Sequence, residues 1–91
     1  MEISKMLTIS TAHIRPETAK FLDKEEKECG TGLIVYNKSE FGWFVFVPDA
    51  GCLDTPIDLH ECLLLAHLNG CDWLCLDRDG ERVDDLQEYE W

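Results

Sequence analysis

Residues 72–77 read Asp72-Trp73-Leu74-Cys75-Leu76-Asp77, and this stretch decides the fold. Successive side chains of a β-strand point to opposite faces. Trp73 and Cys75 therefore share one face, and Leu74 and Leu76 the other. Apolar residues on both faces predict a strand in the interior of a sheet rather than at its rim.

Upstream of that strand the pattern changes to a helical one. Thr55 is placed as an N-cap, Pro56 as the first helical residue and Asp58 as the acidic third position of a capping box. The helix is expected to run to about Asn69, with Gly70 as its stop. Leu59, Cys62, Leu63, Ala66 and either Leu65 or Leu68 form its apolar stripe. Asp49–Asp54 is expected to be a loop. Before it, Trp43–Val47 reads as a strand with Trp43, Val45 and Val47 on one face and Phe44 and Phe46 on the other, closed by Pro48. Leu33–Lys38 is a second strand, and the turn chemistry of 37–42 joins the two as a hairpin.

Nearer the N-terminus, Met6–Thr11 alternates as a strand. Pro16–Glu28 is a charged helix with Ala19, Phe21 and Leu22 inward, and Gly30 is placed as its C-terminal cap. The order is strand, helix, strand, strand, helix, strand. It predicts an α+β domain: a four-stranded, mostly antiparallel sheet with two helices on one face, in the ferredoxin-like βαββαβ order. Residues 1–91 are read as a single domain with an acidic C-terminal tail from 78 to 91. At this length the core is modest, but 45% hydrophobic residues favour a compact fold over disorder.

Charge is unevenly placed. Residues 1–38 carry six acids and six bases, while residues 39–91 carry thirteen acids and two bases, Arg78 and Arg82. The whole formal charge of −11 therefore falls on the second part. Such a field repels nucleic acid and anionic lipid and attracts basic surfaces. No apolar run is long enough to span a membrane, and no signal peptide is visible. The five cysteines are odd in number and include no Cys-x-x-Cys pair. Thiols packed as small hydrophobes in the cytoplasm are the expectation.

Patterns that could carry chemistry are few. Asp77-x-Asp79-Gly80 resembles the strand-end motif of haloacid-dehalogenase-type phosphotransferases, but only eleven residues follow Gly80, too few for the α/β domain such an enzyme needs. Asp77, Asp79, Glu81, Asp85 and Glu88 fall at the spacing of a calcium loop, with Arg82 where glycine is required. His60, Cys62, His67, Cys71 and Cys75 follow no familiar zinc spacing. His13 could in principle serve a thiol as base, yet a capping or core-edge role suits a histidine after a strand. No enzyme activity and no cofactor is expected. In the tail, Leu86, Tyr89 and Trp91 alternate with acids. They either staple the tail to its own sheet or anchor it to a partner, and the two roles are compatible.

Several segments together resemble a family of short uncharacterised proteins: Ser10-Thr11-Ala12-His13-Ile14, Pro16-Glu17-Thr18-Ala19, Gly42-Trp43-Phe44-Val45, Asn69-Gly70-Cys71-Asp72-Trp73-Leu74, Asp79-Gly80, Val83-Asp84-Asp85-Leu86 and Tyr89-Glu90-Trp91. Arg15 stands where a small polar cap is expected before the proline. The resemblance implies a setting on bacterial plasmids and integrated elements, near anti-restriction and toxin–antitoxin genes, and carries over no catalytic residue. It and the charge converge on an inhibitor that occupies the basic surface of a protein or ribonucleoprotein of host defence, of anti-CRISPR or anti-restriction type. Asp77, Asp79, Glu81, Asp84, Asp85, Glu88 and Glu90 would form its electrostatic face, and Tyr89 and Trp91 its anchors. The alternative is a toxin-neutralising or regulatory module that binds protein through its aromatic strands, as a monomer or homodimer.

Overall fold

The computed structural model describes residues 1–28, 33–48 and 55–90. Strand β1 (Met6–Ser10) passes through a one-turn 3-10 helix (Thr11–His13) into helix α1 (Pro16–Glu28). Strands β2 (Val35–Lys38) and β3 (Gly42–Phe46), helix α2 (Ile57–Leu68) and strand β4 (Trp73–Asp77) follow. The α+β class and the βαββαβ order are as the sequence implies. The expected cap at Gly30 and the loop Asp49–Asp54 lie outside the described residues, as do Cys29, Cys52 and Trp91.

The sheet order is β1-β4-β3-β2. β2 with β3 and β3 with β4 are antiparallel, but β1 and β4 run parallel. The sheet is therefore mixed, and its order corrects the ferredoxin-like expectation, which would put β1 inside and β4 at an edge. The cause lies in the side chains. Leu74, Cys75 and Leu76 of β4 are all buried, so β4 takes a neighbour on each side. β1 leaves Met6 and Thr8 exposed and tolerates the rim.

Both helices lie on one face, as the pattern requires. Ala19 and Leu22 of α1 and Leu59, Cys62, Leu63 and Ala66 of α2 share one buried cluster with Ile9, Val35, Val45, Leu74 and Leu76 of the sheet. No helix among the described residues is long and apolar enough to cross a membrane.

The two helices meet at Asp58, and here the structure departs from local capping rules. Helix α2 starts at Ile57, one residue later than expected, and its flanking Pro56 offers no side-chain cap. Thr55 is not the N-cap, and the Asp58 carboxylate does not complete a box on its own helix. It accepts the Arg15 N–H at 2.7 Å, and the Thr18 hydroxyl lies 2.6 Å and 2.8 Å from its two oxygens. Asp58 thus ties the start of α1 to α2, through the Arg15 N–H just before the helix and the Thr18 hydroxyl in its first turn. The anion also sits at the positive end of the α1 dipole.

Asp58 and Thr18 are 4% and 2% exposed, so breaking this contact strands buried polar groups. Asp58→Ala is expected to lower unfolding stability by about 2–4 kcal/mol in urea titration. A loss below about 0.5 kcal/mol, the size of an ordinary surface substitution, would contradict the weight given to this buried contact.

Candidate functional site

The acidic segment begins where β4 ends. The parallel register pairs Ser10 with Asp77, so β1 and β4 finish side by side. Asp77 and Gly80 close a turn, with the Gly80 N–H on the Asp77 carbonyl at 2.8 Å and the Asp79 N–H on the Asp77 carboxylate at 2.8 Å. The chain then presses against β1. A Cβ on Gly80 would lie 2.5 Å from the Ile9 carbonyl oxygen, so only glycine allows the approach. The Ser10 N–H donates to the Glu81 carbonyl at 2.9 Å.

His13 fixes the next stretch. Its ring is 1% exposed. The Val83 N–H donates to Nε2 at 2.9 Å, so that nitrogen carries no proton, and the neutral ring holds its proton on Nδ1. Nδ1 then donates to the Gln87 carbonyl at 2.9 Å. The Tyr89 N–H reaches the Ala12 carbonyl at 2.7 Å, and the Arg15 guanidinium stacks 4.9 Å from the Tyr89 ring centre. Val83 and Leu86 pack against the core. Residues 80–89 are therefore stapled to their own domain, by backbone bonds as well as by the Leu86 and Tyr89 side chains that the sequence singles out. The sequence shows Leu86 and Tyr89 as staples but gives no sign of His13, whose partners lie 70 and 74 residues away.

Stapling leaves the acids in water. Asp79, Glu81, Asp84, Asp85, Glu88 and Glu90 are all exposed, six of the twelve residues 79–90. Arg82 makes an exposed ion pair with Glu88 at 3.2 Å, a contact of small net worth. Asp77 stands apart. Register places Lys38 and Asp77 on either side of Gly42, which has no side chain to separate them, and the two form an ion pair. The Lys38 hydrogen bond, helped by the Asp79 N–H, holds the Asp77 carboxyl below its ordinary range, and Asp77 raises Lys38 in turn. The pair's contribution is present above the usual carboxylate value and fades as pH falls through the lowered one. At the alkaline end it persists until pH passes the raised lysine value. Asp77 is thus compensated within the fold, and of the six acids beyond it Glu88 has the exposed pair with Arg82.

The other patterns do not assemble. No three His, Cys, Asp or Glu side chains among the described residues are arranged to hold a metal ion. Burial, with Asp58 and Glu61 nearby, pushes the Cys62 thiol up to about 12, and burial also raises Cys75. Neither is primed as a thiolate. Both nitrogens of His13 are engaged by backbone.

A second surface lies on the helix-free face of the sheet. By alternation it carries Met6 and Thr8, Tyr36 and Lys38, Phe44 and Phe46, and Trp73 and Cys75. Trp73 packs edge-on to Phe46 at 5.2 Å between ring centres and tilted to Tyr36 at 6.0 Å. Tyr36 is 57% exposed.

Residues 6–91 match DUF5983, a family of unknown function, over its C-terminal domain, and the chain belongs to this family. No curated protein and no solved structure matches it.

Replacing His13 removes both ring contacts at once. His13→Ala is expected to cost about 2–4 kcal/mol and to loosen residues 81–90 before the sheet. Tryptic cleavage after Arg82, timed by mass spectrometry under native conditions, should quicken at least about tenfold, the factor for a local loss of about 1.4 kcal/mol. An unchanged cleavage rate would contradict the clamp.

Proposed function

We propose that this DUF5983 protein is a non-enzymatic interaction module whose C-terminal carboxylates occupy a basic surface on another macromolecule. The observation that carries the reading is the pairing of six exposed acids with a backbone pinned at Glu81, Val83, Gln87 and Tyr89. A free acidic tail would lose ordering entropy on binding. A pinned one has already lost it on folding, and its charges keep fixed positions. Asp79, Glu81, Asp84, Asp85, Glu88 and Glu90 form the electrostatic face in this reading, with Tyr89 and Trp91 as apolar anchors at its end.

Surfaces built to hold nucleic acid fit this face best. DNA presents about one negative charge per 1.7 Å of axis, and a dense run of carboxylates competes for the same lysines and arginines. The resemblance to proteins of bacterial mobile elements supports a cytoplasmic target in host defence, a CRISPR or restriction complex whose nucleic-acid site is blocked. Buried thiols and a fully engaged His13 support a binding role over catalysis. The second reading is protein binding through Tyr36, Phe46 and Trp73 on the open sheet face, by a toxin partner or a second copy; the exposure of Tyr36 favours it.

The test compares the protein with Asp79→Asn/Glu81→Gln/Asp84→Asn/Glu90→Gln, with retained circular dichroism as the control for folding. Each is used to capture proteins from a nuclease-treated lysate of a bacterium that carries the gene. The wild type is expected to retain nucleic-acid-binding proteins that elute as salt rises from about 0.1 to 0.5 M and that DNA displaces; the variant should retain none. Salt-insensitive capture that survives the four substitutions would overturn the proposal, and its loss in Tyr36→Ser would transfer the function to the sheet face.

A further inference from the structure

Helix α2 is apolar on more sides than its core contacts require. Leu59, Cys62, Leu63 and Ala66 are fully or nearly fully buried, yet Ile57, Leu64 and Leu68 are 74%, 47% and 72% exposed. Amphipathic surface helices put polar residues on the outer face, and a helix apolar all round is ordinarily covered all round. Positions 57, 61, 64 and 68 follow helical spacing, so Ile57, Glu61, Leu64 and Leu68 form one outward line. It spans about 16 Å at 1.5 Å per residue, the length of three helical turns.

The pinned segment completes this line as a groove. Leu86, held against the core, approaches the C-terminal half of α2, and Glu61, Leu64, Leu65, Leu68, Asp85 and Leu86 line one depression. Its apolar members are all leucine and its charged members are both carboxylates; no lysine or arginine lines it.

We propose that this groove receives an amphipathic helix of a partner protein, with leucine-like side chains along one stripe and lysine or arginine flanking it. The apolar stripe would seat between Leu64, Leu68 and Leu86, and the flanking cations would meet Glu61 and Asp85. Charge complementarity selects this occupant. A second copy across a two-fold axis would set the same carboxylates against each other, in a chain of net charge −11. An anionic lipid surface is repelled in the same way. The inference rests on the reading of the protein as an acidic interaction module and deepens it, since it locates where an apolar part of the partner sits beside the electrostatic face.

The probe is a synthetic Leu/Lys peptide of about 18 residues, long enough to form a helix, with leucines at i, i+3, i+4 and i+7. A scrambled peptide of equal composition and charge is its control. Fluorescence anisotropy gives affinity, and methyl NMR shifts give location. The ordered peptide is expected to bind at least about tenfold tighter than the scrambled one, with shifts centred on Leu64, Leu65, Leu68 and Leu86. Leu64→Ser/Leu68→Ser, at positions already exposed, should abolish that difference, and Asp79→Asn/Glu81→Gln/Asp84→Asn/Glu90→Gln should preserve it. Equal binding of both peptides, weakened only by the four acid substitutions, would overturn the groove and leave the electrostatic face standing. A wild-type dimer in sedimentation that Leu68→Ser disperses would overturn the choice of occupant.

Discussion

Strand β4 is buried along its middle, from Leu74 to Leu76, and the architecture follows from that constraint. Leu74 and Leu76 fill the core beneath the helices while Cys75 is buried on the opposite face, so β4 takes the middle of the sheet between β1 and β3. Its pairing with β1 is parallel, which brings the C-terminal ends of the two strands to the same edge. The chain leaving Asp77 therefore emerges beside the 3-10 turn that leaves Ser10. Only there can Glu81 meet Ser10, Val83 and Gln87 meet His13, and Tyr89 meet Ala12. An antiparallel β1–β4 pair would have delivered the acidic segment to the opposite end of β1, away from its clamp.

Local signals in the sequence were sound where a single element settles the outcome. The two-faced apolarity of 73–76 marked an interior strand, Pro16 marked the start of α1, and alternation in 43–47 separated a core face from an aromatic one. Element succession suggests the ferredoxin-like order but does not encode which strands pair; the two-faced apolarity of 73–76 points to the interior position that β4 takes. Contacts between distant residues left no local trace. Asp58 has the spacing of a cap for its own helix and bonds Arg15 and Thr18 at the start of α1 instead. Lys38 finds Asp77 across Gly42, a relation that only sheet register creates. His13 reads as a capping or core-edge residue and is fully buried, and its partners are backbone groups, which no side-chain pattern reveals. The exposed leucines of α2 were legible as apolar and not as uncovered, because burial depends on what packs alongside.

Carboxylates and leucines lie side by side where the C-terminal segment meets α2. Like charges crowded on a short segment favour its release into water, and the bonds from His13, Ser10 and Ala12, with Val83 and Leu86 in the core, hold it in place against that tendency. The same attachment lays Leu86 beside α2 and turns a helix face into a groove. One structural device, a stapled C-terminal segment, thus holds the exposed acids in place and shapes the groove beside α2. The aromatic sheet face lies on the other side of the sheet from the helices and does not depend on the tail, which is why substitutions separate the two binding readings cleanly.

The central claim is that the acidic segment belongs to the folded body and is not a free polyanion tethered to it. Backbone 15N relaxation on the wild-type protein tests this most directly. The account predicts order parameters for residues 80–89 near those of β4, about 0.85, with the Val83 and Tyr89 amides as rigid as the sheet. Values below about 0.6 across that stretch, with β4 itself rigid, would contradict it.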